Sequence, residues 1–314
     1  MSTKDIHRYS YSRLSTFKQC PRKHHYIYVE QIEQPEVNLY TTTGKLFHQC
    51  VEYTLKNQDI TPILKEFEKL CTSGALDLEP DLLEYVVTKY FSYYNKEYSM
   101  QQTLLIEHEF SEELEDGDYI VGAIDQAFVT GGYFYIRDMK TTLNNLKYTP
   151  DDVRGNQQML LYIPFAEAEL NVKINAIQID EIRLAKLQQV PRRANGKPST
   201  DKKLLSLVTY EEYFDALSEM GLESEKEYQP VLEYLKQRGH PLFNRVTVQI
   251  LSEGVISTNA QDILDTYHAC KQDWTFKVHG PLCKYCAYKE LCDLDATIPD
   301  TPSREAIIKK IKNS

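Results

Sequence analysis

Asp125, Asp138 and Lys140 are the residues in the middle of this chain whose types could do chemistry together. Like charges directly opposite each other destabilise a sheet, so a facing pair of aspartates indicates a functional rather than a structural role. A divalent cation between the two carboxylates turns that repulsion into chelation. A bound cation can activate water, and a lysine beside it can stabilise negative charge on a reacting group. The alternative is a solvated edge where both carboxylates face water and Lys140 only neutralises them.

A β-hairpin would bring these three side chains together. The segment GDYIVGAIDQAFVTGGYFYIRDMKTT is rich in β-branched and aromatic residues, which predicts strands over residues 119–129 and 133–140. The Gly-Gly pair between them can supply the positive φ angles of a two-residue turn. Thr130 then faces Tyr133, and counting outward sets the two aspartates opposite each other, with Cβ atoms about 4.5–5.5 Å apart. The lysine shares their face because residues i and i+2 of a strand point the same way.

Two predicted helices could complete this site. In TTTGKLFHQCVEYTLK, His48 and Glu52 lie one turn apart, and Gly44 would allow close backbone approach at the start of the helix. In GNQQMLLYIPFAEAEL, Gln158 and Tyr162 have i, i+4 spacing and are placed to position phosphate or the carboxylates. The apolar residues of these helices predict core packing: Leu46, Cys50, Tyr53, Met159, Leu160, Ile163 and Phe165.

The cysteines predict a second metal site. GPLCKYCAYKELCDL contains Cys283, Cys286 and Cys292 in a C-x2-C-x5-C arrangement, which leaves a fourth ligand to be found elsewhere. Cys20, in FKQCPRKHHYIY, lies beside a proline in a basic and aromatic setting that suits a ligand better than a core thiol. Tetrahedral zinc and cubane iron–sulfur centres both take four thiolates, so spacing leaves the two open. Either centre would tie the beginning of the chain to its end.

The remaining three cysteines are assigned different roles. Cys50 and Cys71 lie at apolar positions of predicted helices and are interpreted as core residues, whereas Cys270 is the reserve candidate for the fourth ligand. Four unrelated buried thiols are the alternative to a metal site.

Composition limits the class of protein. The 314 residues are 42% hydrophobic and 26% charged, which is enough apolar material for one large domain or two small ones. The N-terminus lacks the apolar stretch of a secretory signal, and no segment approaches the roughly 20 apolar residues of a membrane span. We therefore expect a cytoplasmic protein without membrane attachment. The net charge of −10 argues against nucleic acid wrapping the whole surface, but a local basic path stays possible.

Taken together, the chain resembles the PD-(D/E)XK nuclease superfamily, and in particular its iron–sulfur branch. That branch includes CRISPR-associated exonucleases and the nuclease domains of RecB/AddB-type helicase-nucleases. The matching pieces occur in the family's order over nearly the whole chain: SRLSTFKQCPRKHHY, the Gly44-to-His48 motif, GAIDQAF, RDMK, QMLLY and CKYCAYKELC.

The resemblance implies an α/β fold with a restriction-endonuclease-like core, in which helices flank a central mixed sheet. It also implies a 4Fe–4S cluster that joins the terminal segments through Cys20, Cys283, Cys286 and Cys292. The implied organisation is one nuclease domain, 1–314. Its parts are a cluster region (1–30 and 265–295), a helical segment (40–100), a catalytic core (101–185), a basic loop and helical insertion (186–245) and a C-terminal tail (296–314).

The resemblance further implies a metal-dependent DNA nuclease, an exonuclease or end-processing enzyme that uses Mg²⁺ or Mn²⁺. Lys140 would orient or deprotonate the attacking water, with Gln158 and Tyr162 in support. The metal ligands would be His48, Asp125, Asp138 and the Met139 backbone carbonyl. The competing function is a non-catalytic DNA-binding or assembly subunit that keeps the fold and the four-cysteine metal site.

Partners and DNA contacts follow from charge and from missing motifs. The basic run KLQQVPRRANGKPSTDKK predicts phosphate contacts by Arg192, Arg193 and Lys197, with a plain solvated loop as the equal alternative. The substrate would be single-stranded DNA or duplex ends. No G-x-x-x-x-G-K-[ST] motif is present, so unwinding would need a helicase, recombination or CRISPR-adaptation partner. The acidic segment 211–233 could dock such a partner, although a solvated helix face is the favoured interpretation.

Overall fold

The computed structural model describes residues 7–32, 39–114, 117–250, 252–272, 274–295 and 302–313. Residues 1–6 of the predicted cluster region and 296–301 and 314 of the predicted tail lie outside these ranges. The α-helices within the described residues are Tyr11–Gln19 (α1), Pro21–His24 (α2), Leu39–Leu55 (α3), Thr61–Thr72 (α4), Leu82–Tyr93 (α5), Asn95–Met100 (α6), Pro150–Arg154 (α7), Gln157–Leu170 (α8), Tyr210–Ser218 (α9), Gln229–Arg238 (α10), Glu253–Lys271 (α11), Lys289–Asp295 (α12) and Pro302–Asn313 (α13).

A mixed sheet forms the centre of the fold, as expected for an α/β protein with a restriction-endonuclease-like core. Its strands are Arg8–Ser10 (β1), Gln102–Glu113 (β2), Tyr119–Thr130 (β3), Tyr133–Thr142 (β4), Ala176–Arg183 (β5) and Phe243–Gln249 (β6). The spatial order is β1-β3-β4-β5-β6, and β2 covers the other edge of β3. β1 is parallel to β3 and β4 is parallel to β5, whereas β2–β3, β3–β4 and β5–β6 are antiparallel.

The predicted hairpin is confirmed. Thr130 pairs with Tyr133, and Gly131 and Gly132 have φ angles of +57° and +81°, which glycine adopts without a steric penalty. The pairing with β4 ends at Gln126 and Arg137. Farther along the same edge of β3, residues 119–121 pair with β1 instead. Residues 122–125 therefore have no strand partner on this edge of β3, and this gap in the pairing is here called the cleft.

Helices cover both faces of the sheet. On one face, α8 and α11 pack on the apolar side chains of β3–β6, and on the other α3, α4 and α5 enclose a second apolar cluster. One helical stripe of α5 is buried, and it consists of Leu82, Val86, Tyr90 and, just beyond the helix, Tyr94. In α8, Met159, Leu160 and Ile163 are buried, while Phe165 is only partly buried and stacks on Phe110. No helix in the described ranges has both the length and the apolarity that a membrane crossing requires.

The helical insertion between β5 and β6 has its own small core. Apolar residues of α9, α10 and the preceding loop pack on one another, among them Tyr213, Leu217, Tyr228 and Leu235. The insertion is followed by β6, whose first three residues, 243–245, fall within the predicted range 186–245. The acidic side chains of segment 211–233 decorate helices that are held by this core, which agrees with the solvated-face interpretation.

Candidate active site

Asp125 lies in the cleft between β3 and β4. Beyond the last paired residues of the hairpin, its carboxylate replaces the missing backbone partner, and Oδ2 accepts a hydrogen bond from the Met139 N–H at 2.8 Å. This hydrogen bond joins β3 to β4 at the point where their backbone pairing has stopped. Asp125 and Asp138 are the next residues beyond the last backbone pair, Gln126–Arg137, and they lie close enough that burial and the Asp125 charge together raise the pKa of Asp138.

His48 enters the cleft from α3. The helix passes close to β4 because Gly44 has no side chain; a Cβ there would lie 2.9 Å from the Thr141 Oγ1. The His48 Nε2 donates to the Met139 carbonyl at 2.8 Å. Its Nδ1 lies 3.4 Å from the Asp125 Oδ2 and 3.3 Å from a Glu107 carboxylate oxygen.

His48 is therefore held as an imidazolium. Both ring nitrogens face acceptors, so both carry protons. Burial lowers its pKa, but the Asp125 and Glu107 carboxylates outweigh this effect and raise the pKa to about 9.

Glu107 is a member of the site that the sequence analysis missed. The carboxylates of Glu107 and Asp125 and the His48 ring place three possible ligand atoms within 4.8 Å of one another. Glu107 has a φ angle of +44°, a strained conformation for a residue with a side chain and one that is concentrated at functional sites. In the segment LLIEHEFSEE, no sequence feature distinguishes Glu107 from the neighbouring glutamates. Only the β2–β3 register, which pairs Ile106 with Gln126, places it opposite Asp125.

Lys140 and Asp138 form the other half of the site. The Lys140 Nζ donates to the Asp138 Oδ1 at 2.9 Å and to the Gln158 Oε1 at 3.1 Å, and the Gln158 amide donates to the Tyr162 hydroxyl at 3.1 Å. Gln158 and Tyr162 thus lie in one hydrogen-bonded chain behind the ammonium group, and their supporting role in catalysis stays a prediction. Tyr162 is fixed because its ring packs over Gly122, where a Cβ would lie 3.0 Å from the ring.

The electrostatics of the site favour a bound cation. Burial raises the pKa of Asp125, with Glu107 adding to the rise and His48 opposing it. Burial and the Asp125 charge raise the pKa of Asp138 to about 6 against the opposing charge of Lys140. Conversely, burial lowers the pKa of Lys140, but the two aspartates outweigh it and keep the group an ammonium.

The residues present fit a divalent metal ion. The Asp138 Oδ2 is buried and has no hydrogen-bond partner, so one carboxylate oxygen in the cleft lacks the donor or cation that a buried acceptor requires. Carboxylates, a histidine and a backbone carbonyl are also a ligand set suited to Mg²⁺ or Mn²⁺.

Comparison with known proteins agrees with this site. A family model described as the PD-(D/E)XK nuclease superfamily matches residues 8–293. The chain belongs to this superfamily. A search of curated proteins finds no match. The match extends across the sheet, the cleft residues and the C-terminal cysteines of this PD-(D/E)XK protein.

The four predicted cluster cysteines meet at one place. Cys20, Cys283, Cys286 and Cys292 line a single small cavity of about 30 Å³. The basic side chains around that cavity are Arg22, Lys23, Lys277 and Lys289. Among the described residues, no three of the four sulfur atoms lie mutually within 4.8 Å. A satellite apolar cluster that includes Tyr26, Tyr288 and Ile311 of α13 packs beside them.

The other cysteines lie elsewhere. Cys50 lies on α3 and is fully buried in the apolar cluster on that face of the sheet. Cys71, on α4, is partly buried against the same cluster, as expected. Cys270 packs against the core on the other face of the sheet and does not line the cysteine cavity. Cys20, rather than the reserve candidate Cys270, therefore lies with the other three cysteines, and their binding of a metal centre stays a prediction.

The basic loop packs against the helical insertion. Arg193 pairs with Glu227 and donates to the Tyr228 hydroxyl, and the Arg192 guanidinium donates to the Gly196 carbonyl. A bridge between Arg192 and Pro198 closes the loop. These contacts give both arginines a structural use, and DNA contact by Arg192, Arg193 and Lys197 stays a prediction.

Proposed function

We propose that this protein is a metal-dependent deoxyribonuclease that works as an exonuclease or DNA end-processing enzyme. The observation that carries the proposal is the cleft between β3 and β4. There His48, Glu107 and Asp125 converge, and Asp138 directs an unpartnered carboxylate oxygen inward beside Lys140.

The chemistry follows from the charges. A phosphodiester repels hydroxide, so a cation must neutralise the phosphoryl oxygens and lower the pKa of the attacking water. Mg²⁺ or Mn²⁺ bound by His48, Asp125, Asp138 and the Met139 carbonyl, with Glu107 as a further carboxylate, would supply both effects. Metal binding must displace the proton that His48 holds between its acceptors.

Lys140 supplies the remaining positive charge. Its ammonium group is oriented by Asp138 and Gln158, and Tyr162 in turn fixes Gln158. In that position it can donate to the attacking water or to the phosphate and stabilise the charge that develops in the transition state.

A cleavage assay tests this proposal. Labelled single-stranded and duplex DNA, blocked at either end, would be incubated with the full chain and Mn²⁺ or Mg²⁺. We expect metal-dependent cleavage from free ends, and loss of it in Asp138→Asn, with Asp151→Asn as the exposed control. If the wild-type protein binds these DNAs but cleaves none, the competing function, a non-catalytic DNA-binding or assembly subunit, is the correct one.

We further propose that the four-cysteine site holds a structural 4Fe–4S cluster. All four cysteines line one small cavity, which supports a four-thiolate centre, and the resemblance to the iron–sulfur branch favours iron–sulfur over zinc. The surrounding lysines and arginine offset the negative charge of four thiolates. Anaerobic purification should yield a coloured protein with iron and acid-labile sulfide. Cys20→Ser should lose both while Cys270→Ser keeps them, and stoichiometric zinc in a colourless protein would overturn the proposal.

Partners follow from the proposed activity. An enzyme that degrades single strands or duplex ends and carries no P-loop motif needs strands opened by another protein, so we propose a helicase, recombination or CRISPR-adaptation partner. Co-purification with a DNA-dependent ATPase would support it.

A further inference from the structure

An open cavity of about 770 Å³, here called the edge groove, lies at the edge strand of the sheet. Its walls are the corner between α5 and α6, the loop at residues 146–148 and the beginning of β6. Its volume is in the range of about 300–1,000 Å³ that suits a small-molecule-sized ligand group. Most of the residues that line it are aromatic or basic.

Three aromatic rings, here called the ring stack, are in mutual contact in this groove, and Tyr93 is tilted by 41° to His240 and by 35° to Phe243. The His240 and Phe243 rings lie 4.7 Å apart and nearly parallel, with an interplanar angle of 7°, and the Tyr93 ring lies 4.4 Å from His240. Phe243 is buried at the base, whereas Tyr93 is 51% exposed. Rings of this kind provide a surface for base stacking, and the bases of single strands are free to use it.

The edge groove is also locally basic in an acidic protein. Neither Lys96 nor Lys147 forms a salt bridge within the part of the chain that the structure describes, and both are exposed. Two carboxylates also lie near the groove: Glu97 is 3.7 Å from Arg245, and the charges of Glu97 and Glu211 both act on the Tyr93 hydroxyl. Two unpaired ammonium groups beside an exposed ring stack match the alternation of phosphate and base in a nucleic acid strand.

Tyr148 connects the edge groove to the active site. It lines the groove, and the charges of both Lys140 and Asp138 act on its hydroxyl. The loop that carries it is fixed, because its backbone N–H donates to Glu181 at 3.0 Å and the Asn244 amide donates to its carbonyl at 2.9 Å. Glu181 is the β5 partner of Lys140 in the sheet register.

We propose that the edge groove binds a single-stranded segment of the nucleic acid next to the reacting phosphate, with a base stacked on Tyr93 and phosphates on Lys96 and Lys147. The identity of the strand as substrate rests on the proposed nuclease function; the binding itself does not. A duplex cannot use the ring stack, since its bases are already stacked on one another.

Fluorescence anisotropy in EDTA separates binding from cleavage. The probes are a labelled oligothymidine and a labelled blunt duplex. We expect Tyr93→Ala to weaken oligothymidine binding by about 5- to 100-fold, Tyr93→Phe to retain it, and duplex binding to stay unchanged in both. Tyr133→Ala is the matched control, because Tyr133 is a similarly exposed tyrosine (55%) at the far end of β4.

The lysines give an independent readout. In Lys96→Gln/Lys147→Gln, the slope of log affinity for oligothymidine against log salt should decrease by roughly 1.4, the value for two phosphate contacts on a single strand. Both residues are exposed, so this variant tests the groove even if Tyr93→Ala fails to fold.

The outcomes distinguish the two proposals. Unchanged oligothymidine binding in Tyr93→Ala and the lysine variant, or equal losses for single strand and duplex, would overturn the edge groove. If the wild-type protein cleaves nothing with Mn²⁺ but Tyr93→Ala selectively loses oligothymidine binding, the nuclease proposal fails and the edge groove stands.

Discussion

The same two strands, β4 and β5, carry buried charges on both faces, and the two sets differ in how they are satisfied. On one face, Asp180 accepts from Arg245 at Oδ1 and from the Tyr90 hydroxyl at Oδ2, and Arg137 lies 3.6 Å away. Burial raises the pKa of Asp180, but the two arginines outweigh it and the pKa is lowered. On the other face, Asp138 keeps an oxygen without a donor and its pKa is raised.

The difference separates a structural ion cluster from a reactive site. The Arg137 guanidinium also donates to the side chains of Gln178, Gln126 and Gln101, so its charge is fully surrounded by acceptors. Such a network holds strands together and offers nothing to a ligand. The active-site face instead gathers three carboxylates, Glu107, Asp125 and Asp138, around two cationic groups, His48 and Lys140, and leaves the Asp138 Oδ2 without a donor. This excess of negative charge lowers stability and creates affinity for a metal ion.

The largest expected effect is on catalysis. Lys140→Ala should reduce DNA cleavage about a thousandfold or more, because it removes the positive charge next to the reacting phosphate. Stability should change little, since Asp138 can take up a proton when its partner is lost. Steady-state cleavage and urea denaturation would measure the two effects, with Lys45→Ala as the exposed control on α3. Normal cleavage by Lys140→Ala would remove this residue from the mechanism.

Asp180→Asn should show the opposite pattern. Breaking a buried ion cluster by removing one partner leaves uncompensated buried charge, so we expect the free energy of unfolding to fall by about 3–5 kcal/mol. The folded fraction should retain cleavage within a few-fold. Urea denaturation with Asp151→Asn as the solvent-exposed control tests this. A variant as stable as the wild type would show that the comparison between the two faces is wrong.

Glu107→Gln tests whether Glu107 contributes to metal binding at the active site. Losing one carboxylate of the group should weaken Mn²⁺ binding by roughly 10- to 100-fold. Glu109→Gln, two residues along β2 and exposed, should leave it unchanged. Titration of Mn²⁺ by calorimetry measures both. Equal affinities in the two variants would limit Glu107 to a structural role.

The last prediction concerns pH and the edge groove. Burial, together with Arg238 and Lys89, lowers the pKa of His240 to about 4 from its usual 6.5. Between these values the unfolded chain binds a proton that the folded chain does not, so stability falls as pH decreases from 6.5 to 4, by at most about 1.4 kcal/mol per pH unit. His240→Phe keeps the ring stack and should flatten this part of the stability–pH curve. A curve that keeps the wild-type slope would assign it to other groups.

Sequence by itself determined the parts of this protein that depend on neighbouring residues. The Gly-Gly turn fixes the β3–β4 register, strand alternation then sets Asp125, Asp138 and Lys140 together, and helical spacing puts Gln158 beside Tyr162. The gathering of Cys20 with three cysteines from the other end followed from their settings and the family resemblance.

Tertiary structure decided the rest. Glu107 joins the site only through the β2–β3 register and a positive φ angle, and the ring stack of the edge groove combines Tyr93 with residues beyond position 239. The Arg137–Asp180–Arg245 cluster likewise depends on three strands meeting in one order. Periodic patterns can be recognised from neighbouring residues. These contacts instead depend on how distant segments pair and pack, and no short stretch of sequence determines that pairing.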